Sequence, residues 1–221
     1  MNTSAAAIQA FIFDSDGTLV DSEVPSMDVI HEEAQALGLR FTREEAHHVF
    51  RGLRMAEVIE WVSAQLPQVP ENFAEHFART VRSAQAERFK NKLDVIPGAR
   101  ELLARLTIPF CVATNGPREK VELTLGITGL LPHFEGRVFS AYEVGSFKPD
   151  PGLFLHAARA MGVAPQYCAV VEDSLPGIQA GQAAGMRVYS LFPADALDAD
   201  LRSQVHSIRD LTDIAWEEVG V

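Results

Sequence analysis

The most informative stretch of the chain is Ile8-Gln9-Ala10-Phe11-Ile12-Phe13-Asp14-Ser15-Asp16-Gly17-Thr18, a short apolar run followed at once by two aspartates. Such a run predicts a buried strand, and residues two apart in an extended segment point to the same side. Asp14 and Asp16 would therefore share one small patch at the end of the strand. Two like charges held this close suit a metal site, or a nucleophile with its acid. Aspartate before Gly-Thr is also ordinary turn chemistry, and on this segment alone that alternative stays open.

The bulk composition predicts a globular protein with no nucleic-acid or membrane partner. Its 221 residues are 47% hydrophobic and 22% charged, and the formal net charge is −11. A chain this acidic must gather positive charge locally to handle an anionic substrate. The sequence shows neither a signal peptide nor an apolar run of bilayer length, so we expect a cytoplasmic protein, acting as a monomer. Cys111 and Cys168 lie in apolar runs and are expected to be buried thiols.

The hydrophobic periodicity divides the chain into two parts. From about Glu23 to Lys92, apolar residues recur at helical spacing, and Thr42-x-x-Glu45 is a capping-box pattern, so this stretch predicts an all-helical insertion. From Ile96 onward, near-continuous apolar strands alternate with helices, which is typical of a parallel sheet covered on both faces. The predicted fold class is therefore α/β, a doubly wound parallel sheet of five strands with a helical insertion after the first.

Polar side chains follow three of the predicted strands at the points where they end. These segments are Asp14-Ser15-Asp16, Thr114-Asn115-Gly116 and Glu172-Asp173-Ser174. Ligands of doubly wound sheets bind beyond the carboxyl ends of the strands, so this convergence predicts an enzyme. The Thr114 hydroxyl and the helix N-terminus behind it can donate to a phosphate, although a simple helix cap explains that segment equally well.

Carboxylates predominate at the expected site. The candidate ligands are four carboxylates, with no histidine or cysteine among them: Asp14, Asp16, Glu172 and Asp173. All-oxygen ligation of this kind favours Mg²⁺, which accepts substrate phosphate as a further ligand. Lys148 stands between prolines in Phe147-Lys148-Pro149-Asp150-Pro151, in a stiff turn that suits neutralisation of a carboxylate and a phosphoryl oxygen. An idle surface lysine, and carboxylates that only cap a turn, remain the alternatives.

Together these segments resemble a known family. Four motifs occur in the order found in haloacid dehalogenase-like hydrolases: Asp14-x-Asp16-Gly17-Thr18, Thr114-Asn115-Gly116, Lys148-Pro149-Asp150-Pro151 and Glu172-Asp173-Ser174. The resemblance spans nearly the whole chain. It implies a Rossmann-like core of residues 1–22 and 93–221, with residues 23–92 as a helical cap domain of the phosphoglucomutase-like type.

The resemblance also implies a role for each motif. Asp14 would be the nucleophile that forms an aspartyl-phosphate, and Asp16 would protonate the leaving oxygen and later activate water. Thr114, Asn115 and Lys148 would bind the phosphoryl group that is transferred.

The same resemblance implies the metal site and the class of reaction. Asp14, the backbone carbonyl of Asp16, Glu172 and Asp173 would hold Mg²⁺. Family members that cleave carbon–halogen bonds lack the second aspartate, because a halide leaves without a proton. Asp16 therefore indicates phosphate chemistry, and the partner expected is a small phosphorylated metabolite.

The helical insertion bears on the choice of substrate. Hexose-phosphate mutase activity is the alternative. In mutases of this family, a histidine that contacts the cap would align with Ser26 and a phosphate-binding arginine would align near Met55, and both departures argue against that activity. Arg51, in the basic loop Phe50-Arg51-Gly52-Leu53-Arg54, would bind the anionic end of the substrate, unless it is only a solvated turn. Short blocks of the sequence resemble bacterial phosphatases of sugar phosphates and of sugar-acid phosphates such as 6-phosphogluconate. A phosphosugar-binding regulator without turnover is the alternative from another class.

Overall fold

The computed structural model describes residues 7–214, which fall into two compact units. Asp21–Asp94 forms one unit, and the residues on either side of it form the other. The division follows the change from strands and helices to helices alone.

The flanking residues form a unit built on one parallel sheet of six strands, in the order β3-β2-β1-β4-β5-β6. The strands are β1 Ala10–Phe13, β2 Phe110–Thr114, β3 Val138–Ser140, β4 Cys168–Glu172, β5 Arg187–Ser190 and β6 His206–Ser207. In the register, Phe11 of β1 lies opposite Phe110 on one side and Ala169 on the other. The strands that precede the three polar segments are therefore immediate neighbours, and the strand order reverses among them.

Helices separate the strands in the chain. They are α1 Glu23–Ala36, α2 Arg43–Phe50, α3 Met55–Gln65, α4 Phe73–Asn91, α5 Ala99–Arg105, α6 Arg118–Ile127, α7 Ala141–Val144, α8 Gly152–Met161, α9 Leu175–Ala183 and α10 Ala199–Ser203. Short 3-10 turns connect several of these elements. Among the described residues, none of these helices is both long and apolar enough to cross a bilayer.

Alternate residues of β1 serve the two faces of the sheet, as the period of a strand requires. Phe11 and Phe13 pack with α5 and α6 in one buried cluster. Ala10 and Ile12 pack with α8 and α9 in the other. The second cluster also contains Cys111 and Cys168, which are free thiols and buried, as the sequence predicts. Both faces of β1 are covered, and the polar residues that follow it begin at its carboxyl end.

The helices α1 to α4 pack around a separate core of their own. In this core, the ring of Trp61 packs edge-on against those of Phe41 and Phe50, with centroids 5.3 and 5.1 Å away. The predicted capping box begins α2: the Thr42 hydroxyl accepts from the Glu45 N–H at 3.1 Å, and the Glu45 carboxylate accepts from the Thr42 N–H at 2.6 Å. This unit can therefore bury an apolar core without the sheet.

Candidate active site

The site begins where buried β1 meets a tight turn. Asp14 is only 8% exposed, and its backbone N–H donates to the Val171 carbonyl of β4 at 3.0 Å. The turn closes where the Gly17 N–H donates to the Val20 carbonyl at 2.8 Å. Asp14 is thereby fixed at the strand end.

Gly17 lets the carboxylate of Asp173 approach this turn. Its φ of 81° is a left-handed conformation that glycine adopts without strain. A Cβ at this position would lie 2.0 Å from Oδ2 of Asp173. The Thr18 hydroxyl donates to Oδ1 of the same carboxylate at 3.1 Å. Asp173, which follows β4, is thus held against the turn that follows β1.

Lys148 links two of the predicted site carboxylates. Its Nζ donates to Oδ1 of Asp14 at 2.5 Å and to Oε1 of Glu172 at 2.6 Å. The side chain is 3% exposed, and Nζ lies 4.9 Å from the centroid of the Phe154 ring. The sequence alone left an idle surface lysine open, and burial of this amine excludes that alternative.

Burial and charge act against each other in this cluster. Burial raises the pKa of Asp14 to about 7 against the opposing charge of Lys148, and the Glu172 carboxylate adds to the rise. Burial alone would lower the pKa of Lys148, but the charges of Asp14 and Glu172 outweigh it, so that pKa is raised. The amine therefore stays charged at neutral pH, while two carboxylates share it.

Glu172 is held by protein donors on both of its oxygens. Besides the bond from Lys148, its Oε2 accepts from the backbone N–H of Ser174 at 3.2 Å and from the Ser174 hydroxyl at 2.9 Å. The residue is fully buried, and a Cβ on Gly177 would lie 1.9 Å from its carboxyl carbon. In this geometry Glu172 orients Lys148, and its role as a metal ligand stays a prediction.

The end of β2 contributes Thr114 and Asn115, in two different ways. Thr114 is 2% exposed, and its Oγ1 accepts from the Gly116 N–H at 3.0 Å. The hydroxyl proton is not used in that bond and can donate to a phosphoryl oxygen. The Asn115 amide instead contacts the backbone of Lys148: its Oδ1 accepts from the Lys148 N–H at 2.9 Å, and its Nδ2 donates to the Lys148 carbonyl at 3.2 Å.

The structure adds one residue that the sequence interpretation missed. Nζ of Lys120, in the first turn of α6, lies 2.8 Å from Oδ2 of Asp16, and both side chains are about three-quarters buried. A Cβ on Gly116 would lie 3.7 Å from the same Oδ2, so the Asp16 carboxylate sits beside the loop that follows β2. A signal was present, since Lys120 stands only four residues after Gly116 in the second motif. A lone lysine is common on helix surfaces, however, and nothing in the sequence singled it out.

Arg51 belongs to the helical unit. It follows the last residue of α2, its Nη2 lies 3.7 Å from Oε2 of Glu23, and its side chain is 54% exposed. Its predicted contact with substrate stays a prediction.

A family model describing a haloacid dehalogenase-like hydrolase matches residues 8–185. The chain belongs to that family. The hydrolase is 39% identical to 6-phosphogluconate phosphatase of Escherichia coli, over 82% of this chain and 81% of the relative. It is 32% identical to hexitol phosphatase A of the same bacterium, over 92% of this chain and 93% of the relative. A solved structure of a putative beta-phosphoglucomutase from Thermotoga maritima superposes with a TM-score of 0.73 at 26% identity, covering 90% and 93% of the two chains. The family and these relatives support a phosphatase.

Hydrolases of this family generally use Mg²⁺, and the donors in this chain fit that ion by chemical type. Within residues 7–214, no group of three or more acidic, histidine or cysteine side chains is already drawn together as a metal site. Mg²⁺ does not require such a cage, since it usually takes one or two carboxylates together with waters and substrate phosphate. The carboxylates of Asp14 and Asp173 and the backbone carbonyl of Asp16 supply oxygen donors of this kind.

Proposed function

We propose that this hydrolase is a Mg²⁺-dependent phosphatase that cleaves a small phosphorylated metabolite, a sugar phosphate or a sugar-acid phosphate such as 6-phosphogluconate. The observation that carries the proposal is the buried pair of Lys148 with Asp14, with Asp16 two residues further along. The 39% identity to a 6-phosphogluconate phosphatase supports the substrate class.

The proposed chemistry has two steps. In the first, a carboxylate oxygen of Asp14 attacks phosphorus and the bond from phosphorus to the leaving oxygen breaks. That oxygen keeps the electron pair and takes a proton from Asp16. In the second, water attacks the aspartyl-phosphate, Asp16 accepts its proton, and inorganic phosphate leaves with Asp14 restored.

The remaining residues bind and orient the phosphoryl group. The Lys148 ammonium and the Thr114 hydroxyl would donate to its non-bridging oxygens, where negative charge is spread in the transition state. Asp14, the Asp16 carbonyl and Asp173 would hold Mg²⁺, with Glu172 as the fourth predicted ligand, and the ion would supply further positive charge to those oxygens. Residues 23–92 would serve as the cap domain, and 1–22 with 93–221 as the core domain, with Arg51 binding the anionic end of the substrate.

Hexose-phosphate mutase activity is the second candidate, favoured by the likeness to a putative beta-phosphoglucomutase. This chain has Ser26 and Met55 at or near the positions where mutases of the family would have a histidine and an arginine. We therefore place phosphatase activity first.

Phosphate release from a panel of sugar phosphates, sugar-acid phosphates and p-nitrophenyl phosphate, with and without Mg²⁺, tests the proposal. We expect turnover that EDTA abolishes and Mg²⁺ restores. Asp14→Asn should remove activity by about 10³-fold or more, because a carboxamide is not a nucleophile. Asp200→Asn, an exposed aspartate in the first turn of α10, is the matched control and should keep full activity. No release from any compound, or full activity of Asp14→Asn, would contradict the proposal.

A further inference from the structure

The side chain of Asn115 is a hydrogen-bond partner for the backbone N–H and carbonyl of Lys148. Lys148 lies between α7 and α8, outside any helix or strand, so no regular ladder pairs its N–H and carbonyl. Buried or half-buried backbone groups need partners. Pro149 and Pro151 have no N–H of their own. The bonds within the loop, from the Asp150 N–H to the Phe147 carbonyl at 2.9 Å and from the Ser146 hydroxyl to the Asp150 carboxylate at 2.6 Å, do not involve the Lys148 N–H or carbonyl.

The Asn115 amide matches both groups at once. A carboxamide presents a donor and an acceptor side by side, and the N–H and carbonyl of one backbone residue can pair with both. Oδ1 accepts from the Lys148 N–H at 2.9 Å and Nδ2 donates to its carbonyl at 3.2 Å. The contact joins positions 33 apart in sequence. It ties the loop that follows β2 to the backbone from which the Lys148 amine projects.

We propose that Asn115 is a positioning residue that acts through Lys148, rather than a residue that binds phosphate itself. The side chain would hold the Lys148 backbone so that Nζ stays beside Asp14. The inference rests on the proposed function to the extent that Lys148 contacts the phosphoryl group. It changes the role that the motif resemblance gives Asn115.

A double-mutant cycle separates positioning from direct binding. We expect Asn115→Ala to lower kcat for p-nitrophenyl phosphate about tenfold and to leave KM within about twofold, because displacement of a catalytic group costs rate. In a Lys148→Ala background, Asn115→Ala should cost nothing further, since the group it positions is gone. Independent, multiplicative losses, or a rise in KM alone, would show direct phosphate binding and overturn the inference.

Hydrogen exchange tests the contact without relying on activity. The Lys148 amide, followed in peptides covering residues 146–152, should exchange about tenfold faster or more in Asn115→Ala than in the wild type. Asn91→Ala is the control, because it also removes one bond from a side-chain amide to a backbone carbonyl, within α4. If Asn115→Ala does not fold, Asn115→Asp keeps the acceptor and places a carboxylate oxygen where the amide donated to the Lys148 carbonyl, and it should show the same rise in exchange. Unchanged exchange overturns the inference, whereas absence of turnover in the wild type overturns only the proposed function.

Discussion

Lys148 is shared by Asp14 and Glu172, and the three side chains are 3, 11 and 0% exposed. Moving an ion out of water costs several kcal/mol, and a buried ion pair does little more than recover that cost. Stability alone therefore gives little reason for three buried charges at the end of a strand. A site that must receive a phosphate dianion does need a fixed ammonium, already desolvated and aimed at the nucleophile.

The ion pair of Lys120 with Asp16 leads to a prediction about the leaving group. Removal of the amine in Lys120→Met should let the Asp16 carboxylate turn away from its present orientation. Loss of orientation should lower kcat/KM for a sugar phosphate about tenfold, because its alkoxide needs a proton in order to leave. The loss should be smaller for p-nitrophenyl phosphate, whose weakly basic leaving group departs without one.

Steady-state kinetics with both substrates measure this difference. Lys90→Met is the matched control, because it breaks an exposed ion pair with Glu87 on α4 and should leave both rates unchanged. Equal losses on the two substrates would mean that Lys120 does not act through proton transfer to the leaving group.

At the scale of the element, the start of α9 is shaped around the Glu172 carboxylate. The Ser174 hydroxyl accepts from the Gly177 N–H at 3.2 Å and donates to Glu172 at 2.9 Å. Gly177 then has to lack a side chain, because a Cβ would overlap the carboxyl group. The Ser174 hydroxyl therefore caps the helix and also holds the Glu172 carboxylate in place beside Lys148.

Two glycine-to-alanine substitutions test this packing. Gly177→Ala should lower the free energy of unfolding by about 1–3 kcal/mol, as overpacking does, and should reduce turnover because Glu172 must move. Gly126→Ala, in α6 with no atom within 4 Å of the new Cβ, should instead raise the free energy of unfolding by about 0.5–1 kcal/mol. Chemical denaturation of both variants gives the two values. A neutral Gly177→Ala would contradict the packing around Glu172.

The regular elements were the most predictable part of the fold. The near-continuous apolar runs that alternate with helical patterns predicted a parallel sheet with helices between its strands, and the structure has that arrangement. The sixth strand, His206–Ser207, was missed because it has two residues, both exposed, and so carries no hydrophobic signal. The resemblance of the four motifs to those of the family predicted that Asp14 and Lys148 belong to one site. It could not predict the contacts of Asn115 and Lys120, because each depends on where another loop lies in space.

At the scale of the whole molecule, the sheet order explains why distant residues meet. Lys148 and Asp14 are 134 positions apart, and Lys120 and Asp16 are 104 apart. Since β1 lies between β2 and β4, the three polar segments emerge side by side at one edge of the sheet. Two lysines of this strongly acidic chain, Lys148 and Lys120, also lie at that edge, where they pair with Asp14 and Asp16. The helical unit, Asp21–Asp94, packs around a core of its own.

In the proposed mechanism, Asp14 carries the phosphoryl group during turnover. Rapid acid quench of the Asp16→Asn variant with Mg²⁺ and p-nitrophenyl phosphate, followed by mass spectrometry of the peptide containing residues 8–18, tests it most directly. Without the group that activates water, phosphate should accumulate on Asp14, and the same peptide from the Asp14→Asn variant should stay unmodified. Turnover by the wild type with no phosphate on that peptide in any variant, or phosphate on a different residue, would contradict the account.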